Sequence, residues 1–300
     1  MRVTLAQLET FFWVARLGST QATGRQLNLA QPTISLRLRD LETALGLRLF
    51  DRVGRGLKLT HEGGELLERA SAILNEVTRI GELSGGADGL RAVVRVGVPE
   101  TLALVCLPSL LRTLQAEHPA LRLELVVATS TDLEAQLLRH ELDLAFLVDP
   151  TSDPRLRLTL LGMQETGWFA APGFGLSSPV RPQDLHHLPI VSNPHPSTMH
   201  EHIGEWFRSA GLELPRLSFC NSLSVIAHLV RQGVFVGFLP RKMVEADLEA
   251  GAIRHLASRP PVPGARIYGG HRLAESSPAI LAILRATRQV VEQIDFLRPV

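Results

Sequence analysis

The sequence predicts an α/β protein in three parts: a small helical head, a long connecting helix, and a larger body of alternating strands and helices. Three observations carry that reading. At 300 residues the chain is about twice as long as a common single domain, so more than one folding unit is expected. Residues 1–61 hold nine Lys/Arg against four Asp/Glu, a balance of +5 concealed within a net charge of +1. Beyond residue 92, β-branched runs alternate with helical stretches, a pattern that indicates parallel α/β architecture.

Composition narrows the function classes. With 45% hydrophobic and 20% charged residues the chain can bury ordinary cores, which excludes wholesale disorder. The longest apolar runs, such as Leu102–Leu107, fall far short of the roughly 18–20 residues that span a bilayer. Glu9 interrupts the one apolar stretch near the start, which makes a poor secretory signal, and two cysteines form no disulfide framework. A cytoplasmic protein without membrane partners is expected. A basic head on a slightly acidic body is the electrostatic outline of a nucleic-acid binder with a separate regulatory part.

In the head, Leu5, Leu8, Phe11, Phe12 and Ala15 recur at helical spacing. Gly18 ends that helix and Ser19 caps a second, reaching Leu27. After a tight connection, Gln31-Pro32 opens a third helix whose buried stripe is Ile34, Leu38, Leu41 and Leu45, stopped by Gly46. Gln31, Pro32, Thr33 and Ser35 are left facing outward, flanked by Arg37 and Arg39. Short polar side chains and arginine at a helix N-terminus suit base edges and phosphates in a major groove. Leu49–Arg52 and Leu57–Thr60 then read as a hairpin around Val53-Gly54-Arg55-Gly56, a wing that can lie along a DNA backbone through Arg52 and Arg55. The candidate DNA-contacting set is Thr20, Ala30, Gln31, Pro32, Thr33, Ser35, Arg37, Arg39, Arg52 and Arg55.

From Glu62 to Leu83 there is no proline, and Leu67, Ala70, Leu74 and Val77 form a narrow stripe with Ile73 and Ile80 alongside. Such a stripe calls for a partner helix. Residues 84–91, rich in glycine, read as a hinge. The body follows from residue 92: a strand at Val93–Val98, a helix at Thr101–Ala116, a strand at Leu121–Ala128, a helix at Thr131–Arg139, and a strand at Asp143–Leu147. Strands at Trp168–Ala171, Pro189–Ser192, Arg216–Phe219, Val234–Leu239 and Ile267–Gly269, and a last helix at Pro278–Leu297, complete it.

The head resembles the LysR-type transcriptional regulators. The resemblance rests on Leu5-x-x-Leu8-x-x-Phe11, Gly18-Ser19, Leu27, Gln31-Pro32-Thr33-Ile34-Ser35, Leu41-Glu42, Leu45-Gly46-x-x-Leu49-Phe50-x-Arg52, Gly54-Arg55 and Leu59-Thr60-x-x-Gly63. Thr23-Gly24 replaces the family's usual pair of alanines, which should weaken the second helix by about 1 kcal/mol. Leu36 stands where arginine is common. In the body, Val230 to Pro240 follows the family's Val-x-x-Gly-x-x-x-x-Phe/Leu-Pro pattern, with Phe235 in place of one common glycine and His140 in place of another.

The resemblance implies an α/β protein with an all-α winged helix-turn-helix head at 1–61, a dimerising linker helix at 62–83, and an effector-binding domain at 92–300 similar to periplasmic binding proteins. Its two subdomains would be 92–164 with 267–300, and 165–266, joined by crossovers near 162–165 and 265–267. It further implies a homodimer or homotetramer on promoter DNA, a small-molecule effector, RNA polymerase as a further partner, and no enzyme activity or cofactor.

In α/β sheets ligands settle beyond the carboxyl ends of strands, where helix N-termini offer free N–H groups to carboxylates. Thr101, Thr129, Ser130, Asn221 and Ser222 meet that description, with Asn193 and His195 on the opposite lip. An anionic effector is expected there, and by resemblance the effector hydroxyls match Thr101 and Ser130. Plain helix capping is the alternative role of each hydroxyl.

Other chemistries find less support. His195, His200 and His202 lie close together, but the zinc-protease spacing needs a second histidine at 204, where Gly204 stands. Cys106 and Cys220 have no adjacent basic residue, and Gly173-Phe174-Gly175 lacks the third glycine of a dinucleotide turn. The remaining alternative, a solute-binding or interaction protein without DNA function, has no use for a basic recognition helix and wing.

Overall fold

The computed structural model describes residues 3–53, 56–82, 93–273 and 277–299. It divides into two compact units, one built mainly from residues up to Asp88 and one mainly from those after it.

The first unit contains α1 (Leu5–Leu17), α2 (Thr20–Leu27), α3 (Gln31–Leu45), the hairpin strands β1 (Phe50–Val53) and β2 (Gly56–Leu59), and α4 (His61–Glu82). Thr4 and Gln7 open α1 with a reciprocal cap, and Ser19 Oγ accepts the Ala22 N–H at 3.3 Å to open α2. Ile34, Leu38 and Leu41 of α3 pack with Leu8, Phe11 and Val14 of α1 and with Leu49 and Phe50 into one core. Gly24, expected to weaken α2, is explained by the turn that follows: a Cβ there would sit 2.7 Å from the Leu29 carbonyl oxygen. Gly63 has the same reason, since a Cβ on it would collide with the Leu49 carbonyl. The apolar stripe of α4 divides in two. Leu66, Leu67 and Ala70 pack on this core, whereas Ile73, Val77 and Ile80 stay exposed. The expected hinge at 84–91 lies outside the described residues.

The second unit begins with β3 (Val93–Val98), α5 (Glu100–Val105), α6 (Leu107–Glu117), β4 (Arg122–Val127), α7 (Ser130–Leu138), β5 (Leu144–Val148) and β6 (Leu156–Gln164). It continues with β7 (Thr166–Ala170), α8 (Pro182–Leu185), β8 (Ile190–Ser192), α9 (Thr198–Arg208), β9 (Leu217–Phe219), α10 (Leu223–Arg231), β10 (Val236–Pro240), α11 (Glu245–Glu249) and β11 (Arg254–Leu256). The chain then returns through β12 (Ala265–Arg272) and α12 (Pro278–Gln293). Two five-stranded sheets result, ordered β4-β3-β5-β12-β6 and β11-β7-β10-β8-β9.

Both sheets are mixed, which corrects the expectation of parallel strands. β3 pairs parallel with β4 and β5, but β12 runs antiparallel between β5 and β6, and β7 runs antiparallel to β10 and β11. β6 and β11 have no counterpart among the strands expected from sequence; β6 is a half-exposed edge strand whose pattern lacks a continuous apolar run. The single helix expected over 101–116 is two helices meeting at Cys106, because Pro108 can stand only in the first turn of α6. The final helix stops at Gln293, leaving Phe296 and Leu297 buried beyond it. The second crossover precedes Ala265, which already pairs with Gln164 on β6. His140, standing where the family has glycine, adopts a left-handed φ of 59°.

Strand alternation divides each sheet between two apolar layers. Leu144 and Phe146 join Val94, Val96 and Val98 against α5, α6 and α12, while Ala145 and Leu147 face Leu133 and Leu137 of α7. In the second sheet Trp168 packs with Ile203, Trp206 and Phe207 of α9, and Phe169 joins Ile226 and Val230 of α10. Helices therefore cover both faces of each sheet, and α5, α7 and α10 begin just past the carboxyl ends of β3, β4 and β9.

Candidate functional sites

The amino end of α3 is an exposed polar surface. Its preceding residue, Ala30, supplies no side-chain cap, so the Gln31 N–H has no partner among the described residues. The Gln31 amide donates to Ser35 Oγ at 2.9 Å and to Thr20 Oγ1 at 3.4 Å, which holds Thr20, Gln31 and Ser35 as one hydrogen-bonding group. Pro32 and Arg39 are exposed and Thr33 is half-buried. Arg37 differs from the expectation. It is half-buried and its Nη1 donates to Thr10 Oγ1 on α1 at 3.3 Å, a contact that braces α3 within the fold. Leu36, absent from the expected set, is 54% exposed on the same helix. On the wing, Arg52 pairs with Leu57 through the backbone, while its side chain and all of Arg55 lie outside the described residues.

In the second unit a cavity of about 480 Å³ opens at the carboxyl ends of β3, β4, β5, β8, β9 and β10. Thr101, Thr129, Ser130, Asn193 and Asn221 line it as expected; His195 and Ser222 do not. His195 is exposed on the loop after β8. Ser222 is occupied with capping α10, its Oγ accepting from Val225 N at 3.4 Å.

The lining hydroxyls have different local roles. Thr129 Oγ1 donates to Asp132 Oδ2 at 2.7 Å and caps α7, and Ser130 Oγ accepts the Val148 N–H at 2.8 Å. Thr101 is 4% exposed, and its side chain makes no hydrogen bond within the described residues. Gln164 at the end of β6, outside the set expected from sequence, is also 4% exposed, lines the cavity and has no side-chain partner there. Buried polar groups ordinarily find partners, so two left open toward a cavity mark a place for a ligand.

Glu100 is the second unanticipated residue. From α5 it reaches the amino end of α10, where its carboxylate accepts from Ser222 Oγ at 3.0 Å, Leu223 N at 2.7 Å, Ser224 N at 3.1 Å and Ser224 Oγ at 2.6 Å. Burial alone would raise its pKa, but the hydrogen bonds from Ser224, Leu223 and Ser222 outweigh this and hold it below the ordinary carboxylate value. Among the described residues the cavity lining includes four further carboxylates, Asp132, Glu134, Asp149 and Glu201, and no lysine, arginine or histidine.

The histidine and cysteine groups carry no comparable chemistry. Among the described residues no cluster of three metal-ligating side chains occurs. His200 stacks 5.7 Å from Phe219, and its pKa is lowered first by burial and then by His195. Cys106 is fully buried, and desolvation pushes its thiol up to about 12, which suppresses the reactive thiolate. Among the described residues no helix is long and apolar enough to cross a membrane.

Comparison with known proteins agrees with this layout. Residues 5–64 match the family described as bacterial regulatory helix-turn-helix protein, lysR family, and residues 87–292 match the LysR substrate binding domain. The uncharacterized HTH-type transcriptional regulator YeiE of Escherichia coli is 31% identical over 261 residues, covering 86% of this chain and 87% of that protein. YusT of Bacillus subtilis, likewise an uncharacterized HTH-type regulator, is 28% identical over 247 residues, 82% of each chain. Among solved structures, a full-length single-residue variant of OxyR from Pseudomonas aeruginosa superposes with a TM-score of 0.77 at 21% identity, over 96% of this chain and 99% of that one. ArgP of Mycobacterium tuberculosis gives 0.76 at 19% identity, covering 98% of both chains. CbnR in complex with its target DNA gives 0.65 at 22% identity, over 96% of this chain and 99% of that one.

Proposed function

The chain belongs to the LysR family of DNA-binding transcriptional regulators, and we propose that its promoter is read by the amino end of α3 and controlled by a small molecule held in the cavity between the two sheets. Gln31, Ser35 and Thr20 form the base-reading group, Thr33 and Pro32 flank it, and Arg39, Arg52 and Arg55 hold phosphates. Arg37 acts one step removed, by fixing α3 against α1. The open Gln31 N–H adds a phosphate seat at the helix terminus.

Thr101 and Gln164, buried with unused hydrogen-bonding groups, are the observation that carries the ligand site. To regulate, the ligand must favour one arrangement of the two sheets, since equal affinity for both shifts nothing. The exposed Ile73, Val77 and Ile80 on α4 support pairing with a second copy, and a dimer of such dimers would match the family's tetramers. A regulator of this kind works in the cytoplasm, contacts RNA polymerase and performs no catalysis.

The test uses full-length protein and fragments of its own genome at cellular ionic strength. Gln31→Ala should weaken specific binding about tenfold, the scale of one good base contact, and leave non-specific binding unchanged. Thr101→Val should leave DNA affinity intact and abolish the response to the ligand. Equal affinity of the wild-type protein for all fragments, with or without metabolites, would overturn the assignment.

A further inference from the structure

We infer that the cavity takes a small organic cation, a molecule bearing protonated amino groups, in place of the carboxylate that helix N-termini ordinarily invite. The inference rests on the cavity being the ligand site and adds the charge of the occupant.

Four helix N-termini line the cavity: α5, which carries Glu100 in its first turn, and α7, α9 and α10, to each of which the chain supplies a carboxylate. α7 carries Asp132 in its first turn, hydrogen-bonded to the capping Thr129. α9 begins at Thr198 without a side-chain cap, and Glu201 stands in its first turn. α10 receives Glu100 from the opposite sheet's domain, with four donors satisfying the two carboxylate oxygens. An incoming anion would therefore meet negative charge at every seat the backbone offers. At α10 it would also have to displace a group that is covalently tethered, and so faces no cost of association.

The rest of the lining points the same way. Glu134 is buried and engaged by Thr151, and Asp149 accepts the Arg266 N–H at 3.1 Å. The Asp149 pKa is raised, first by burial and in smaller part by Glu201, while His202 and Arg266 oppose this from the adjoining groove. Among the described residues no cationic side chain lines the cavity itself. Concentrated carboxylate in a partly dry cleft attracts a cation more strongly than exposed carboxylate does, because solvent screens it less. The ligand signal independent of charge is Thr101 and Gln164, each 4% exposed, each lining the cavity and each without a side-chain hydrogen-bond partner among the described residues. Both side chains can accept N–H donors, of which an ammonium group has three. The volume, about 480 Å³, falls within the range usual for small-molecule sites. Among the described residues no cluster could hold a metal ion, so an organic cation fits better than an inorganic one.

The test compares two probes of equal length and opposite charge, 1,5-diaminopentane and pentanedioate, by thermal denaturation of the full-length protein at matched ionic strength. The diamine should raise the melting temperature in a saturable way while pentanedioate has no effect. Glu201→Gln, an exposed position on α9, should weaken the diamine about tenfold, as expected for loss of one charge-assisted hydrogen bond. Thr101→Val should weaken it as well. Glu100→Ser, which vacates the seat on α10, should give the protein a pentanedioate response that the wild type lacks. Stabilisation of the wild type by pentanedioate that disappears in Thr101→Val would overturn the charge assignment and leave the cavity as the ligand site. A diamine effect identical in all variants would place binding elsewhere and overturn both readings. No effect of either probe on any variant would overturn the proposal.

Discussion

Leu36 lies one helical turn beyond Pro32 and three residues before Arg39, 54% exposed on a helix whose opposite side is buried. An apolar side chain on that face has one complementary feature in a major groove, the methyl group of thymine. Leu36→Arg should steepen the dependence of log affinity on log salt by about one unit and relax selectivity at one base pair. Mobility-shift titrations across several salt concentrations measure both, and an unchanged slope would remove Leu36 from the interface. Arg37 shows why neighbouring positions need separate treatment. Its polarity suggests a groove contact, but its place in the turn directs it to Thr10 on α1.

Among the elements, the work of binding is proposed to divide between the hairpin β1–β2 and helix α3. Main-chain pairing runs from Phe50–Leu59 to Val53–Gly56, and Arg52 and Arg55 are the residues proposed to hold phosphates. Arg52→Glu with Arg55→Glu should lower affinity for every DNA sequence alike and flatten the salt dependence by about two units, one per lost phosphate contact. Binding isotherms on specific and random duplexes test this, and selective loss on the specific duplex alone would refute the wing's role. The glycine that ends α1, the serine that caps α2, the glycine that ends α3 and the proline that opens it are all legible from sequence, since each depends on residues within one or two turns. The break between α5 and α6 is equally local: Pro108 announces it, and only the run of leucines around it suggests a continuous helix. β6 is harder to see. It is an edge strand, and its partner β12 lies about a hundred residues further along the chain, where Ala265 pairs with Gln164.

At the scale of the whole molecule, Glu100 ties one sheet's helices to the other's and gives their arrangement a pH dependence. Its carboxylate is held below the ordinary value of 4.5, so the stabilisation it contributes is complete above that pH and is lost as the pH falls through the lower, folded value. The difference in melting temperature between wild type and Glu100→Gln should stay constant from neutral pH to about 5 and shrink below 4.5. A pH-independent difference would show that the carboxylate is not engaged by α10.

The family, the head's helices and hairpin, most of the body's strands and the polar face of α3 could be read from residue order, because periodicity, caps and turn residues act over a few positions along the chain. Thr101, Thr129, Ser130, Asn193 and Asn221 could be placed at the cavity by the rule that α/β ligands sit at strand ends. The charge of that cavity could not. It depends on Glu100 meeting Ser222 across 122 positions and on Asp132 and Glu201 arriving from different layers, and long-range electrostatics of that kind exists only once the sheets have packed.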